Sequence, residues 1–210
     1  MAHLITLEIV PSKKKYCSAL HLNEEYFGEL HYSIFSRKPS LLKSYDNLPA
    51  FQEKFNELAY KGAFQYAVRR LSLKSQPSSE LQKALKDRHV SDEIAHKIIQ
   101  KCQELGFLND QQWYGEYAES LVRKKYGPKM ILNKLRLKGL SQQEAAKLVS
   151  AMNETVDQKA QIQHLISTKF RKQDLSDRKS RQKVASALYR KGFTFDDICA
   201  VLKTEPQEEN

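Results

Sequence analysis

The chain has 210 residues, 40% of them hydrophobic and 29% charged, with only 7 Gly and 6 Pro, which favours a folded, helix-rich, soluble protein over a disordered or β-sandwich one. Lys and Arg outnumber Asp and Glu by 35 to 25, and the formal net charge of +10 suits nucleic acid or an acidic protein partner, with plain solubility as the alternative. No apolar run approaches the roughly 18 residues that span a bilayer, and the start MAHLITLEIV has neither a basic region nor an A-x-A site, so a cytoplasmic location without membrane attachment is expected.

The first 46 residues read as β. Ile5, Leu7 and Ile9 alternate with Thr6 and Glu8, and Tyr16, Ser18, Leu20 and Leu22 share one face of a second strand. The basic turn PSKKK, residues 11–15, lies between them, so a small hairpin or ribbon is expected. Helical signals begin at Asn47, a cap ahead of Pro49, with Phe51, Phe55, Leu58 and Ala59 recurring at three and four. Leu71 ends that helix, Leu81 and Leu85 mark a second, and Ser91 caps a third.

The pattern then repeats. Asp110 caps a helix with a stripe of Trp113, Tyr117, Leu121 and Val122; Gly127 ends it, and Pro128 opens a helix carrying Ile131, Leu132 and Leu135. Gly139 stops that helix, and Ser141 with Glu144 makes a capping box for a third, which buries Ala145, Leu148 and Val149. The last copy has Ile162, Leu165 and Ile166, then Val184 and Leu188, then Gly192, the cap Thr194, and Ile198, Val201 and Leu202.

Three segments carry the echo: RHVSDEIAHKII (88–99), KGLSQQEAAKLV (138–149) and KGFTFDDICAVL (191–202), offset by 50 and 53 residues. A three-helix unit of this size has too little core alone, and stacking buries what remains. The expected fold is mainly α: tandem three-helix repeats in an elongated curved array, with a small N-terminal β-hairpin or ribbon. The divisions are a β extension at 1–46, repeats at 47–106, 107–153 and 154–204, and a tail at 205–210.

No constellation for catalysis, metal or cofactor stands out. Cys17, Cys102 and Cys199 form no C-x-x-C, and Cys102 and Cys199 fall in apolar periodic runs as packed free thiols. His89 and His96 read as structural or surface residues, and the adjacent acids Asp196 and Asp197 suit the positive end of a helix rather than a carboxylate pair. The phosphate-binding, nucleophile-elbow and zinc-protease motifs are all missing, so no enzyme is expected.

The cations, by contrast, cluster. Arg123, Lys124, Lys125, Lys129, Lys134, Arg136 and Lys138 occupy one acid-free stretch. Lys169, Arg171, Lys172, Arg178, Lys179, Arg181 and Lys183 stand at the equivalent junction of the last copy, against Asp174 and Asp177; Arg69, Arg70 and Lys74 do so in the first. Periodic clusters of this kind make a positive stripe for phosphates or an acidic groove, or else a solvated charged face.

From the N-terminal ribbon to about Leu202 the sequence resembles the RecX family, regulators of the recombinase RecA. The resemblance rests on LGFLNDQQWY (105–114), GPKMILNKLRLKGL (127–140) and GFTFDDI (192–198), which are similar to the family patterns L-G-x-[IL]-[ND]-D…[FY], G-P-x-x-I…L…K-G-[IL] and R-[RK]-G-F-x-x-x-x-I. It implies tandem three-helix repeats. It also implies a non-enzymatic regulator that binds RecA and its filament on single-stranded DNA, limiting filament growth, ATP hydrolysis and strand exchange. The expected partners are the RecA filament and single-stranded, or also duplex, DNA through phosphates, bound by a monomer without cofactors. One segment departs: LSLKSQPSSEL (71–81) has Lys74 and Gln76 where the family's R-x-R-S would place two arginines. Neither residue supplies the planar fork of a guanidinium, so the contact the family makes through this loop is not carried over to this sequence. A helix-turn-helix regulator of transcription is the alternative, since helix two, a Gly turn and helix three mimic that motif. An inert helical scaffold is a third.

Overall fold

The computed structural model describes residues 4–41 and 43–203. The tail expected at 205–210 lies outside the described residues. The N-terminal alternation pairs as β1 (Ile5–Pro11) with β2 (Cys17–Leu22), antiparallel, with Ile9 opposite Leu20 and Leu7 opposite Leu22. The hairpin is part of a larger sheet than the spacing predicts. β3 (Glu25–His31) and β4 (Ser44–Tyr45) complete a 4-stranded antiparallel sheet in the order β3-β2-β1-β4. Asn23 and Glu24 make the β2–β3 turn with φ of 48° and 70°, the two-residue geometry whose twist matches the strands. The Asn23 side-chain oxygen accepts from the Thr6 amide at 2.9 Å, tying this turn to β1. Cys17 to Leu20 are buried on both faces, so β2 is a central strand; Tyr16, expected to share its inner face, is exposed in the preceding turn.

The sheet packs on a helix through aromatic rings. α1 (Tyr32–Phe35) follows β3, and α2 (Leu48–Leu73) starts at the Asn47 cap, whose side chain accepts from the Ala50 amide. Phe51 is fully buried, and Phe27 of β3 meets both Phe51 and Phe55 edge-on at 5.3 Å. A β-carbon at Gly62 would stand 1.9 Å from the Ile34 carbonyl oxygen, so glycine there is what seats α1 on α2. α2 runs to Leu73 rather than stopping at Leu71. α3 (Ser78–Lys86) and α4 (Asp92–Glu104) bury Leu81, Leu85, Ile94 and Ile98 against it.

Asp110 does not cap its own helix. α5 (Asp110–Arg123) begins with it, and its carboxylate instead reaches back 32 residues to accept from the Ser78 amide at 2.8 Å and from the Ser78 hydroxyl. Pro77, at the capping position of α3, offers no side-chain acceptor, and Asp110 fills that role. Asp110→Ala is therefore expected to lower the stability of the first compact unit by about 1 to 2 kcal/mol in urea titrations, with fraying of α3 seen by amide exchange.

Residues up to Asp110 form one compact unit and those from Gln111 another. The second contains the rest of α5 and then α6 (Pro128–Leu137), α7 (Gln142–Asn153), α8 (Gln158–Thr168), α9 (Arg178–Arg190) and α10 (Phe195–Lys203). The buried face of α5 is turned one residue from the expected stripe. Tyr114, Ala118 and Leu121 are buried, while Trp113 and Tyr117 stack on each other at 5.0 Å, half-buried. The Tyr114 hydroxyl donates to the Lys138 carbonyl at 2.8 Å, and Ala118 is fully buried.

The sequence echo has a hydrogen-bond counterpart. The Val90, Leu140 and Phe193 amides each donate to a carbonyl five residues back, on Leu85, Leu135 and Leu188, while the His89, Gly139 and Gly192 amides donate three back. His89, Gly139 and Gly192 are all left-handed, with φ of 60°, 98° and 95°. This is one helix-ending motif at the equivalent place of each echo, and it recurs at Gly106 and Lys125, with φ of 71° and 57°. The caps that follow, Ser91, Ser141 and Thr194, all accept from the amide three residues on, and Ser141 with Glu144 forms the full capping box.

Gly127 does not end α5. Lys125, at φ 57°, makes that turn, and Gly127, at φ −79°, caps α6. It is glycine for a contact. The Gly127 amide donates to the Lys191 carbonyl at 2.8 Å and the Lys129 amide to the Gly192 carbonyl at 3.0 Å, so the α5–α6 and α9–α10 turns lie backbone against backbone. A β-carbon on Gly127 would fall 2.3 Å from the Phe193 nitrogen, and one on Gly192 would fall 2.3 Å from the Met130 nitrogen.

Candidate partner and nucleic-acid interface

The clearest basic surface is one face of α9. Lys179, Gln182, Lys183, Ser186 and Arg190 line a shallow cleft of about 380 Å³, and their spacing puts them opposite buried Val184 and Leu188. Arg190 was not among the expected residues, although it lies two helical turns beyond Lys183 on the same side. Arg178 and Arg181 are exposed on α9 outside that cleft, and Arg171 and Lys172 are exposed in the preceding loop. Lys169 sits 5.8 Å from the Phe170 ring centre.

The two acids of this stretch are used locally. Asp174 accepts from the Ser176 amide and hydroxyl, and Asp177 caps α9 by accepting from the Ser180 amide at 2.8 Å. Those hydrogen bonds hold both carboxyls below the usual carboxylate range. Among the described residues no ion pair involves the α9 cations, so their positive potential is not cancelled at contact distance.

The acid-free stretch of the middle copy divides. Arg123 pairs with Glu119 at 3.5 Å, and Lys124 is exposed. Lys129 and Arg136 are exposed on the outer face of α6, Lys129 standing 5.4 Å from the centre of the Tyr189 ring. Lys125, Lys134 and Lys138 are half-buried, and Lys134 lies over Tyr126 at 5.0 Å. Lys191 covers the same ring at 4.8 Å and donates to the Lys124 and Lys125 carbonyls at the end of α5. Burial, then the charge of Lys169, pushes the Lys191 ammonium below its ordinary value. Lys134 and Lys191 brace the turn through Tyr126; the outward charge is carried by Lys124, Lys129 and Arg136.

In the first unit Arg69, Arg70 and Lys74 come together with a cation that spacing did not reveal, Arg88. They line a cleft of about 390 Å³ with Ser33, Tyr66, Leu73 and Gln76. Arg70 donates from Nε to the Gln76 side-chain oxygen at 2.9 Å and from Nη1 to the Tyr66 hydroxyl at 3.3 Å. Gln76 is thus an internal residue, 3% exposed, and not the outward contact that an arginine fork at this place would suggest. Arg88 lies over the Tyr66 ring at 4.2 Å and donates to the Ala84 carbonyl. Arg69 and Lys74 are exposed at the rim.

The field of this cluster reaches His31. Its Nδ1 accepts from the Ser33 amide at 3.1 Å, so the imidazole is unprotonated there, and burial, then Arg88 and His89, push it below the ordinary histidine value. As pH falls the unfolded chain takes the proton first. Stability from this group is therefore flat above about pH 6.5 and declines below it, levelling off once the folded imidazole is also protonated. Urea midpoints measured on either side of that pH are expected to show the decline, and His31→Asn, which keeps a capping acceptor, to lack that part of it.

The three cysteines are free, with Cys17 and Cys102 buried and Cys199 half-buried. Burial, with Glu29 in the case of Cys17, pushes the first two thiols up, away from reactivity. Among the described residues no cluster of three or more His, Cys, Asp or Glu is arranged for a metal ion, and no helix is long and apolar enough to cross a membrane.

A family model described as "RecX, third three-helix domain" matches residues 157–202, the segment holding the α9 face. The chain is 26% identical to the Regulatory protein RecX of Bacillus licheniformis over 170 residues, covering 80% of this chain. It is 26% identical to that of Haemophilus influenzae, covering 70% of this chain and 96% of that protein. Most of the chain is thus similar to RecX proteins, and residues 157–202 match a RecX domain. The chain spans 64% of the length of the Bacillus licheniformis RecX that it matches. A crystal structure described as regulatory protein RecX shares the fold, with a TM-score of 0.58 at 21% identity, covering 96% of this chain and all of that one. The RecX fold of tandem three-helix units therefore agrees with the repeated helix endings found above.

Proposed function

We propose that this chain is a non-enzymatic regulator of the RecA recombinase. It binds RecA and its filament on single-stranded DNA and limits filament growth, ATP hydrolysis and strand exchange. The observation that carries this reading is the α9 face, where Lys179, Lys183 and Arg190 project without a contacting acid inside the segment that matches a RecX domain. The same role falls to Arg171, Lys172, Arg178 and Arg181 beside it, to Lys124, Lys129 and Arg136, and to Arg69, Arg70 and Lys74 of the first unit. Arg123, Lys125, Lys134, Lys138 and Lys169, each paired, half-buried or set against an aromatic ring, contribute to the potential more than to contact. The functional divisions in this reading are the β extension 1–46, the repeats 47–106, 107–153 and 154–204, and a monomeric state in solution.

The test is RecA-dependent ATP hydrolysis on single-stranded DNA with this protein added up to equimolar amounts. The rate is expected to fall progressively; an unchanged rate would falsify the reading. A sequence-reading helix-turn-helix protein is disfavoured. Its recognition helix would begin with residues for base edges, whereas α4 begins with Asp92 and Glu93 and α10 has Asp196 and Asp197 in its first turn.

A further inference from the structure

The cleft of the first unit holds more donors than the chain satisfies. Gln76 is 3% exposed, and its Nε2 is buried without an acceptor among the described residues. The buried Nε of Arg88 likewise has none. Arg70 stands between them, its Nε and Nη1 already committed to Gln76 and Tyr66. No Asp or Glu lines the cleft. A buried N–H without an acceptor is costly, and two of them beside two guanidinium groups call for an oxyanion.

We propose that this cleft is a receptor for a carboxylate side chain of a protein partner, presented on a segment that alternates acidic and aliphatic residues. The inference deepens the proposed function, on which it rests for there being a protein partner, and it divides the labour among the basic surfaces: this one reads protein, not DNA. Three features select a carboxylate on a peptide over a nucleotide phosphate. The Tyr66 face occupied by Arg88 at 4.2 Å is closed to a stacking base. Leu73, 79% exposed at the rim, offers an aliphatic side chain a contact that a sugar-phosphate chain does not use. The donors left over, Nη2 of Arg70, Nε of Arg88 and the Gln76 amide, are enough for the two oxygens of a carboxylate.

The experiment uses the full chain and fluorescence anisotropy at low ionic strength, with two labelled probes: a short peptide of alternating Leu and Asp, and a thymidine oligonucleotide of similar length. The variants are Arg88→Gln, Gln76→Glu and, as a control away from every basic cluster described above, Lys147→Gln with Lys159→Gln, both exposed. Gln76→Glu places a carboxylate where the cleft is argued to want one. It is expected to fold with an undiminished melting midpoint and to lose peptide affinity by about tenfold or more, as is Arg88→Gln, while the control keeps wild-type peptide affinity. A Gln76→Glu protein that binds peptide like the wild type, or that melts well below it, overturns the proposal. So does an oligonucleotide affinity that falls with the cleft variants while peptide binding does not. Because RecA is absent from this assay, its failure is separable from failure of the ATP-hydrolysis test.

Discussion

Gly192→Ala is expected to destabilise residues 111–210 by about 3 kcal/mol or more, from left-handed strain of roughly 1 to 2 and forced displacement of roughly 1 to 3. The position is doubly constrained: φ is 95°, and a methyl group would meet the Met130 nitrogen at 2.3 Å, a backbone atom that cannot swing aside. Gly106 supplies the control. It is also left-handed, at φ 71°, but nothing lies within 4 Å of its added β-carbon, so Gly106→Ala should show the conformational cost alone. Gly127→Ala isolates the other component. Its φ of −79° suits any residue, yet its methyl would strike Phe193 and Gly192 at 2.3 to 2.5 Å. Urea titration of the three single variants and of the Gly127→Ala, Gly192→Ala pair decides the matter. The pair should lose less than the sum of its singles, because both break one contact; full additivity would mean the two turns are not seated on each other.

What sequence could and could not disclose follows the distance over which each feature is made. The caps at Asn47, Ser91, Ser141 and Thr194 and the left-handed endings at Gly139 and Gly192 are closed within five residues, and each was legible from residue type and spacing. Gly127 looked like another helix stop because a glycine ahead of Pro128 is what such a stop resembles. Its partner is 65 residues further on, and nothing local announces it. Asp110 failed in the same way, its carboxylate reaching back to Ser78. β3 was missed because its turn uses Asn23 and Glu24 rather than Asn-Gly.

The candidate surfaces divide along the same line. Charge density along the chain located all three basic regions. It could not tell that Lys134 and Lys191 share the Tyr126 ring, or that Gln76, at a place the family resemblance gives to an arginine, turns inward to hold Arg70. Exposure of a cation is a property of the rotated helix, and α5 shows how little rotation matters to the pattern and how much to the outcome: one residue exchanges Trp113 for Tyr114 in the core.

Neutralising the α9 face is expected to have the largest effect on function. Lys179→Gln, Lys183→Gln and Arg190→Gln together remove three exposed charges opposite Val184 and Leu188, so the fold should survive with an unchanged melting midpoint. If the three neutralise phosphates, each releases about 0.7 of a counterion from single strands, and the slope of log affinity against log salt should become shallower by about 2, with a loss of about 10- to 100-fold at low salt. Lys134→Gln serves as the contrast, being half-buried over Tyr126, and should leave the slope nearly intact. Binding of a thymidine oligonucleotide measured across a salt series reads all of this, and the same proteins in the RecA ATP-hydrolysis assay show whether regulation follows. Parallel losses place DNA contact and regulation on one face. A triple variant that keeps the wild-type slope removes α9 from the interface, whatever the other basic surfaces do.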